Sequence, residues 1–206
     1  MLLRQIGFLF AVIPSHADES FPDNMHPSLV PALLAKRKAE AVYVDHQDSI
    51  ILASDTIVIL NGVILNKPAD RDDAIRMLKM LSGVTHTVIT AVHLKGPGIS
   101  NKFEDISSVT FRKLSEKTIS KYVDEFQPFD KAGAYGAQEC LPPGINPCSE
   151  EEMQFLDSIG KASLVERSLN SPESRVEVID AISGSFFTVM GLPVHLVHRH
   201  LTPFHA

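Results

Sequence analysis

The order of apolar and polar positions divides the chain into alternating strands and helices. Residues 6–13, Ile-Gly-Phe-Leu-Phe-Ala-Val-Ile, form an apolar run that reads as a buried first strand ending at Pro14. A polar stretch through Pro27 follows. Over 28–44, Leu29, Leu33, Leu34 and Ala41 fall at helical spacing, and Lys36, Arg37, Lys38 and Glu40 occupy the polar face. Ser49 to Leu60 is apolar on both faces except at Ser54-Asp55-Thr56, the pattern of a strand covered on both sides. Asn61-Gly62 is a strong hairpin signal, with Val63-Ile64-Leu65 as the return strand. Asp70 caps an amphipathic helix with Ala74, Ile75, Leu78 and Leu81 inward, and Gly83 stops it.

The second half repeats the alternation. Thr85–Lys95 and Phe103–Arg112 predict an antiparallel pair turned at Gly96-Pro97-Gly98. Ser115 caps a helix, with Leu114 as a staple and Ile119, Tyr122, Val123 and Phe126 facing inward. Residues 140–173 change composition to Pro, Ser and Glu. They read as a surface insertion, with a helix capped at Ser149 and a solvated acidic start at Glu150–Glu152. Val176–Ile182 and Phe186–Met190 read as short strands about a Gly184-Ser185 turn. Pro193 opens a last helix to His200. Alternating elements with two hairpins indicate one α/β domain over 1–206 with a mixed sheet.

Composition narrows the function classes. With 19 Lys+Arg against 25 Asp+Glu the net charge is −6, and no basic run is present. Stable nucleic-acid binding is therefore not expected, since phosphate neutralisation dominates such affinity. A small anionic ligand needs only a local cluster of cations. The two cysteines, Cys140 and Cys148, build neither a disulfide framework nor a zinc site, which suits a reducing, cytoplasmic setting. No stretch approaches the roughly 20 apolar residues of a membrane span. The start, with Arg4, the apolar run and Ser15-His16-Ala17, also has the outline of a weak secretory signal. Its single cation and short run favour a buried strand.

Few residues suggest chemistry on their own. Asp55 breaks an oily strand, where a carboxylate is costly unless paired, hydrogen-bonded or metal-bound. It is either a site residue or a structural Asp at a strand bend. Lys36, Lys38 and Lys67 are ordinary in isolation. The loop Asp130-Lys131-Ala132-Gly133-Ala134-Tyr135-Gly136 combines glycines that allow close backbone approach with a cation, and Gln138 beyond it offers an amide suited to a base edge. His195 and His198 lie i, i+3 on the last helix, but no third metal ligand is evident.

Taken together, Ser54-Asp55-Thr56-Ile57-Val58, Asn61-Gly62 and Leu65-Asn66-Lys67-Pro68 resemble the "ADT(V/I)V…DG…LGKP" block of the Maf family of nucleoside triphosphate pyrophosphatases. The likeness continues through Met77-Leu78, Leu81-Ser82-Gly83, Thr85-His86 and Asp130 to Gln138. It closes at Gly184-Ser185-Phe186 and Val189 to Pro193. The DKAGAYG loop followed by Gln resembles the subfamily that hydrolyses dTTP and UTP. The resemblance implies a mixed, strongly twisted sheet with helices in two lobes around a central cleft, and a homodimer. It implies Asp55 as proton acceptor, Thr56 and Gln138 at the base, and Lys38, Lys67 and Lys131 at the phosphates. It also implies a divalent cation, Mg²⁺ or Mn²⁺, held by Asp18, Glu19 and Asp55.

The resemblance departs at the N-terminus. Family members begin with a strand and a loop resembling "LASxSPRR", whereas Met1-Leu2-Leu3 enters beyond that loop and Arg4 matches the helix after it. Each charge-assisted phosphate contact contributes roughly 1.5–3 kcal/mol. The expectation that follows is weak activity, or a nucleotide-binding protein without catalysis, together with an exposed sheet edge. Ser54 replaces the usual Ala or Gly, and Thr188 stands where Asn or Ser is common; both read as mild changes.

Overall fold

A computed structural model describes residues 2–142, 144–165 and 176–204. The chain runs α1 (Leu2–Gln5), α2 (Val30–Tyr43), β1 (Ile51–Leu60), β2 (Val63–Leu65), α3 (Arg71–Leu81), β3 (Thr85–Gly96) and β4 (Ile99–Phe111). It continues with α4 (Glu116–Phe126), α5 (Ala137–Cys140), α6 (Glu150–Ser158), β5 (Ile179–Ser183), α7 (Phe186–Val189) and α8 (Val194–Leu201). The expected α/β class is the one adopted.

The five strands form one sheet ordered β2-β1-β3-β4-β5, with all four ladders antiparallel. The parallel pairing that a mixed sheet implies therefore does not occur among the described strands. β2 and β3 do run in the same direction, joined through α3, but β1 lies between them. Asn61 (φ 50°) and Gly62 (φ 79°) make the two-residue hairpin, whose left-handed backbone matches the strand twist.

The sheet is covered on both faces, as the doubly apolar β1 required. Val30 and Leu34 of α2 pack on Ile57 and Ile89. On the other face Val58, Leu60 and Val88 meet Leu78, Leu81, Phe111, Tyr122 and Phe186 in the main core. Side-chain hydrogen bonds confirm the caps at Asp70, Ser115 and Ser149, the last as a full capping box with Glu152. Truncating a core residue such as the fully buried Leu78 to alanine costs about 2–5 kcal/mol.

Four expectations require correction. Residues 6–13 are not a strand. Gly7 takes φ 102°, Gly7 N–H donates to the Arg4 carbonyl and Phe8 N–H to that of Leu3. That is a Schellman closure of α1, so Gly7 acts as a helix stop; beyond it, Leu9 is 90% exposed. Residues 186–190 are not a strand: Phe186–Val189 form helix α7, because Ser185 caps it and a buried carboxylate takes its first N–H groups. β5 starts only at Ile179, since the Val176 and Val178 amides bond the carbonyls of Glu139 and Cys140. The acidic start of α6 is solvated only at Glu150 and Glu151; Glu152 is fully buried.

Of the segment 140–173, residues 166–173 lie outside the described residues, and within the rest Leu156 is buried in the core. Cys140 and Cys148 are free thiols. No helix among the described residues is long and apolar enough to cross a membrane. β2 pairs only with Val58–Leu60, so the edge of β1 from Ile51 to Ile57 faces no described strand.

Candidate active site at the open edge of β1

Side chains alternate along β1, and the polar triplet inherits that alternation. Asp55 points with Ile57 toward α2. Thr56 points with Val58 toward the opposite face, opposite Thr90 in the register. Lys38 lies one turn beyond Leu34 on the buried stripe of α2, which directs its stem to the sheet. Its ammonium donates to Asp55 Oδ1 at 2.5 Å and lies 2.8 Å from Glu19 Oε1. The Asp55 and Lys38 side chains are 11% and 20% exposed.

Burial pushes the Asp55 carboxyl above the ordinary aspartate range, although Lys38 and Lys67 both pull it down. Burial opposes the Lys38 charge, but the two carboxylates outweigh it and hold the ammonium above its usual pKa. The more exposed Glu19 is held below its usual range by the Lys38 hydrogen bond. Asp55 is thus a carboxylate kept out of water, with one ammonium on Oδ1. Among the described residues no hydrogen bond engages its Oδ2.

Lys67 follows β2 on the surface, where its charge acts on Asp55, Glu19 and Asp130. Lys131 pairs with Asp130 at 3.0 Å. The Gly133 N–H donates to the Asn66 carbonyl at 3.2 Å, which ties the 130–136 loop to the end of β2. Gly133 has φ 68°, and a Cβ there would stand 3.0 Å from Val58 Cγ2; a Cβ on Gly136 would stand 2.5 Å from Glu139 Oε2. The Tyr122 hydroxyl fixes the same turn, accepting from Gly136 N–H and donating to Glu139, both at 2.9 Å.

The structure therefore gathers Asp55, Lys38, Glu19 and Lys67; Lys131 is linked to them only through Asp130, on whose charge Lys67 also acts. Asp18 is turned away: its carboxylate bonds the Ser20 amide and hydroxyl, near Arg37. Gln138 is exposed on α5. No group of three His, Cys, Asp or Glu side chains gathers as a metal cage among the described residues. His195 is buried 3.9 Å from Asp105, and His198 packs between Phe8 and Phe155; no third His, Cys, Asp or Glu among the described residues joins them as a metal ligand. A cavity of about 660 Å³ runs along the open edge between Leu52, Leu192, Phe10 and Val12. It touches the polar cluster at Lys38 and Ser54 and is otherwise mostly apolar.

The profile of the Maf family, described as Maf-like protein, matches residues 1–150. Over 189 residues the chain is 38% identical to a dTTP/UTP pyrophosphatase of Porphyromonas gingivalis, covering 90% of this chain and 78% of the relative. It is 36% identical to a dTTP/UTP pyrophosphatase of Phocaeicola vulgatus, covering 97% and 88%. A protein of the same name from Aquifex aeolicus is 35% identical, covering 97% and 87%. The chain belongs to the Maf family.

In this Maf protein the long-range contacts of two supporting residues carried no local signal in the sequence. Glu152 lies in the segment read as an insertion, yet its carboxylate accepts from Ser149 N–H, Phe186 N–H and Phe187 N–H at 3.0–3.1 Å and from the Ser185 hydroxyl. Thr188, read as a mild change, donates to Asp105 at 2.6 Å and lends its carbonyl to Thr90. A Glu three residues after a capping Ser was visible; its contact with residues 185–187 is 33 to 35 residues away along the chain.

Proposed function

We propose that this Maf protein hydrolyses dTTP and UTP to the nucleoside monophosphate and pyrophosphate. The observation that carries the reading is the buried Asp55 carboxylate, held by Lys38 at the uncovered edge of β1. A nucleotide lying along that edge reaches Asp55 from one face of the strand and Thr56 from the other. The relatives named dTTP/UTP pyrophosphatases support the substrate class.

The chemistry follows from the charges. A triphosphate carries about four negative charges, while Lys38 already serves two carboxylates. Lys67, and Lys131 on leaving Asp130, are offered to the phosphates, and a net-acidic chain needs a further positive charge there. Glu19 and Asp55 are hard oxygen donors beside one another, which suits Mg²⁺ or Mn²⁺ bound by one or two carboxylates plus water and phosphate oxygens. When bound, such an ion polarises phosphoryl oxygens and acidifies water. Asp55 Oδ2 accepts the proton of the attacking water, whose oxygen bonds the α-phosphorus as the bond to the bridging oxygen breaks. Lys38 keeps the carboxylate oriented and ionised. Gln138 and Thr56 meet the base.

The test is direct. Incubation with dTTP or UTP and Mg²⁺ or Mn²⁺ is expected to yield monophosphate and pyrophosphate in equal amounts. Release of single phosphates, or binding without turnover, would contradict the proposal.

A further inference from the structure

Gly136 has no side chain, and two neighbours use the space. A Cβ there would stand 2.5 Å from Glu139 Oε2 and 3.0 Å from Lys131 Cε, so a carboxylate and a lysine stem meet over the same bare Cα. The Lys131 ammonium nevertheless turns to Asp130, at 3.0 Å. Among the described residues no ion pair joins it to Glu139.

A buried hydroxyl holds Glu139 in place. Tyr122, fully buried on α4, donates its one hydrogen to Glu139 Oε2 and accepts the Gly136 N–H, both at 2.9 Å. The main chain beyond is fixed as well, since the Val176 N–H bonds the Glu139 carbonyl at 3.1 Å and the Val178 N–H that of Cys140 at 3.0 Å. The two carboxylates that flank Lys131 differ in strength. Asp130 is 80% exposed, where an ion pair contributes little and a triphosphate can take its place. Glu139 is half-buried, so an ion pair formed there would be less screened and would retain the ammonium.

We propose that Tyr122 is a positioning residue that keeps the Glu139 carboxylate off Lys131, so that the ammonium stays free for the triphosphate. This rests on the reading that Lys131 meets the phosphates of dTTP or UTP. With the hydroxyl in place, Glu139 is tethered to a donor that does not move. Without it, the carboxylate turns across Gly136 to the lysine and neutralises it before substrate arrives. Lys131 touches the substrate, whereas Tyr122 acts only through Glu139. The effect falls on binding, because a phosphate contact made equally in the ground and transition states changes KM and leaves kcat.

The experiment measures kcat and KM for UTP in the wild type, Tyr122→Phe, Glu139→Gln and the double variant. Tyr122→Phe should raise KM by roughly 10- to 100-fold, the contribution of one charge-assisted phosphate contact, with kcat little changed. Glu139→Gln alone should leave KM near the wild-type value, and in the double variant it should restore most of the lost affinity. A merely structural role for the hydroxyl would leave the rise in KM unrelieved by Glu139→Gln. If Tyr122→Phe does not fold, Gly136→Ala reads the same device. At φ −111° alanine is unstrained, and its Cβ pushes Glu139 off the hydroxyl, so KM should rise more in Gly136→Ala alone than in the Glu139→Gln background. With the wild type turning over UTP, a folded Tyr122→Phe of unchanged KM, a rise that Glu139→Gln does not relieve, or an equal rise for Gly136→Ala in both backgrounds overturns the role of Tyr122 but not the pyrophosphatase. Failure of the wild type to hydrolyse either UTP or dTTP overturns both.

Discussion

Asp55 and Glu152 are both carboxylates taken out of water, and their surroundings assign them opposite work. Glu152 is fully buried and receives four neutral donors, from Ser149, Ser185, Phe186 and Phe187. Its charge is spread over hydrogen bonds that join α6 to α7, so its oxygens are occupied. Asp55 is slightly exposed, receives one ammonium on one oxygen, and faces an edge that no described strand covers. A saturated buried carboxylate is an anchor. An under-saturated one at an opening is available to take a proton.

The largest effect separates the two. Asp55→Asn is expected to lower turnover of UTP by about 10²–10⁴-fold, the usual contribution of a general base. Its melting temperature should stay near that of the wild type, because burial already works against the Asp55 charge. Full activity in that variant would remove Asp55 from the chemistry. Glu152→Ala should reverse the pattern, costing about 3 kcal/mol or more of stability, because it leaves several buried donors unsatisfied at about 1–3 kcal/mol each. Urea denaturation measures this, and a variant as stable as the wild type would erase the contrast.

Much of this arrangement was legible in the residues. The hairpin at Asn61-Gly62, the caps at Asp70, Ser115 and Ser149, and the odd position of Asp55 are local signals, and the structure uses each of them. Lys38 was legible only through the family pattern, since a helix-face lysine looks solvated until its turn is aligned with Leu34. Residues 6–13 misled because Gly7 sits inside an apolar run, where its left-handed backbone closes α1. The segment 186–190 misled because the group that makes it helical, Glu152, arrives from a distant helix. The Tyr122 hydroxyl carried no signal, since an inward tyrosine on a helix reads as core until the glycine loop beside it is seen.

A smaller effect concerns a third buried group with no opposite charge to support it. Burial depresses the His86 pKa to about 4, and its Nε2 bonds the Tyr135 hydroxyl at 2.8 Å. The unfolded chain takes up a proton near pH 6.5 that the folded chain refuses until about pH 4. Stability is therefore complete above about pH 6.5, falls as pH drops toward 4, and levels off below. At about 1.4 kcal/mol per pH unit, His86 removes up to about 3 kcal/mol. His86→Gln should flatten this part of the curve of unfolding free energy against pH; an unaltered curve would assign it to other groups.

The smallest shift bears most directly on the site. As the base, Asp55 must be ionised, so kcat/KM for UTP should rise with pH through an apparent pKa above the ordinary aspartate range. Lys38→Met removes the ammonium that pulls this pKa down. The account predicts that the acid limb of the kcat/KM profile moves to higher pH by about one unit or more in that variant, with lower activity throughout. An acid limb that stays in place while Lys38→Met remains folded and active would contradict the assignment of Asp55, paired with Lys38, as the proton acceptor.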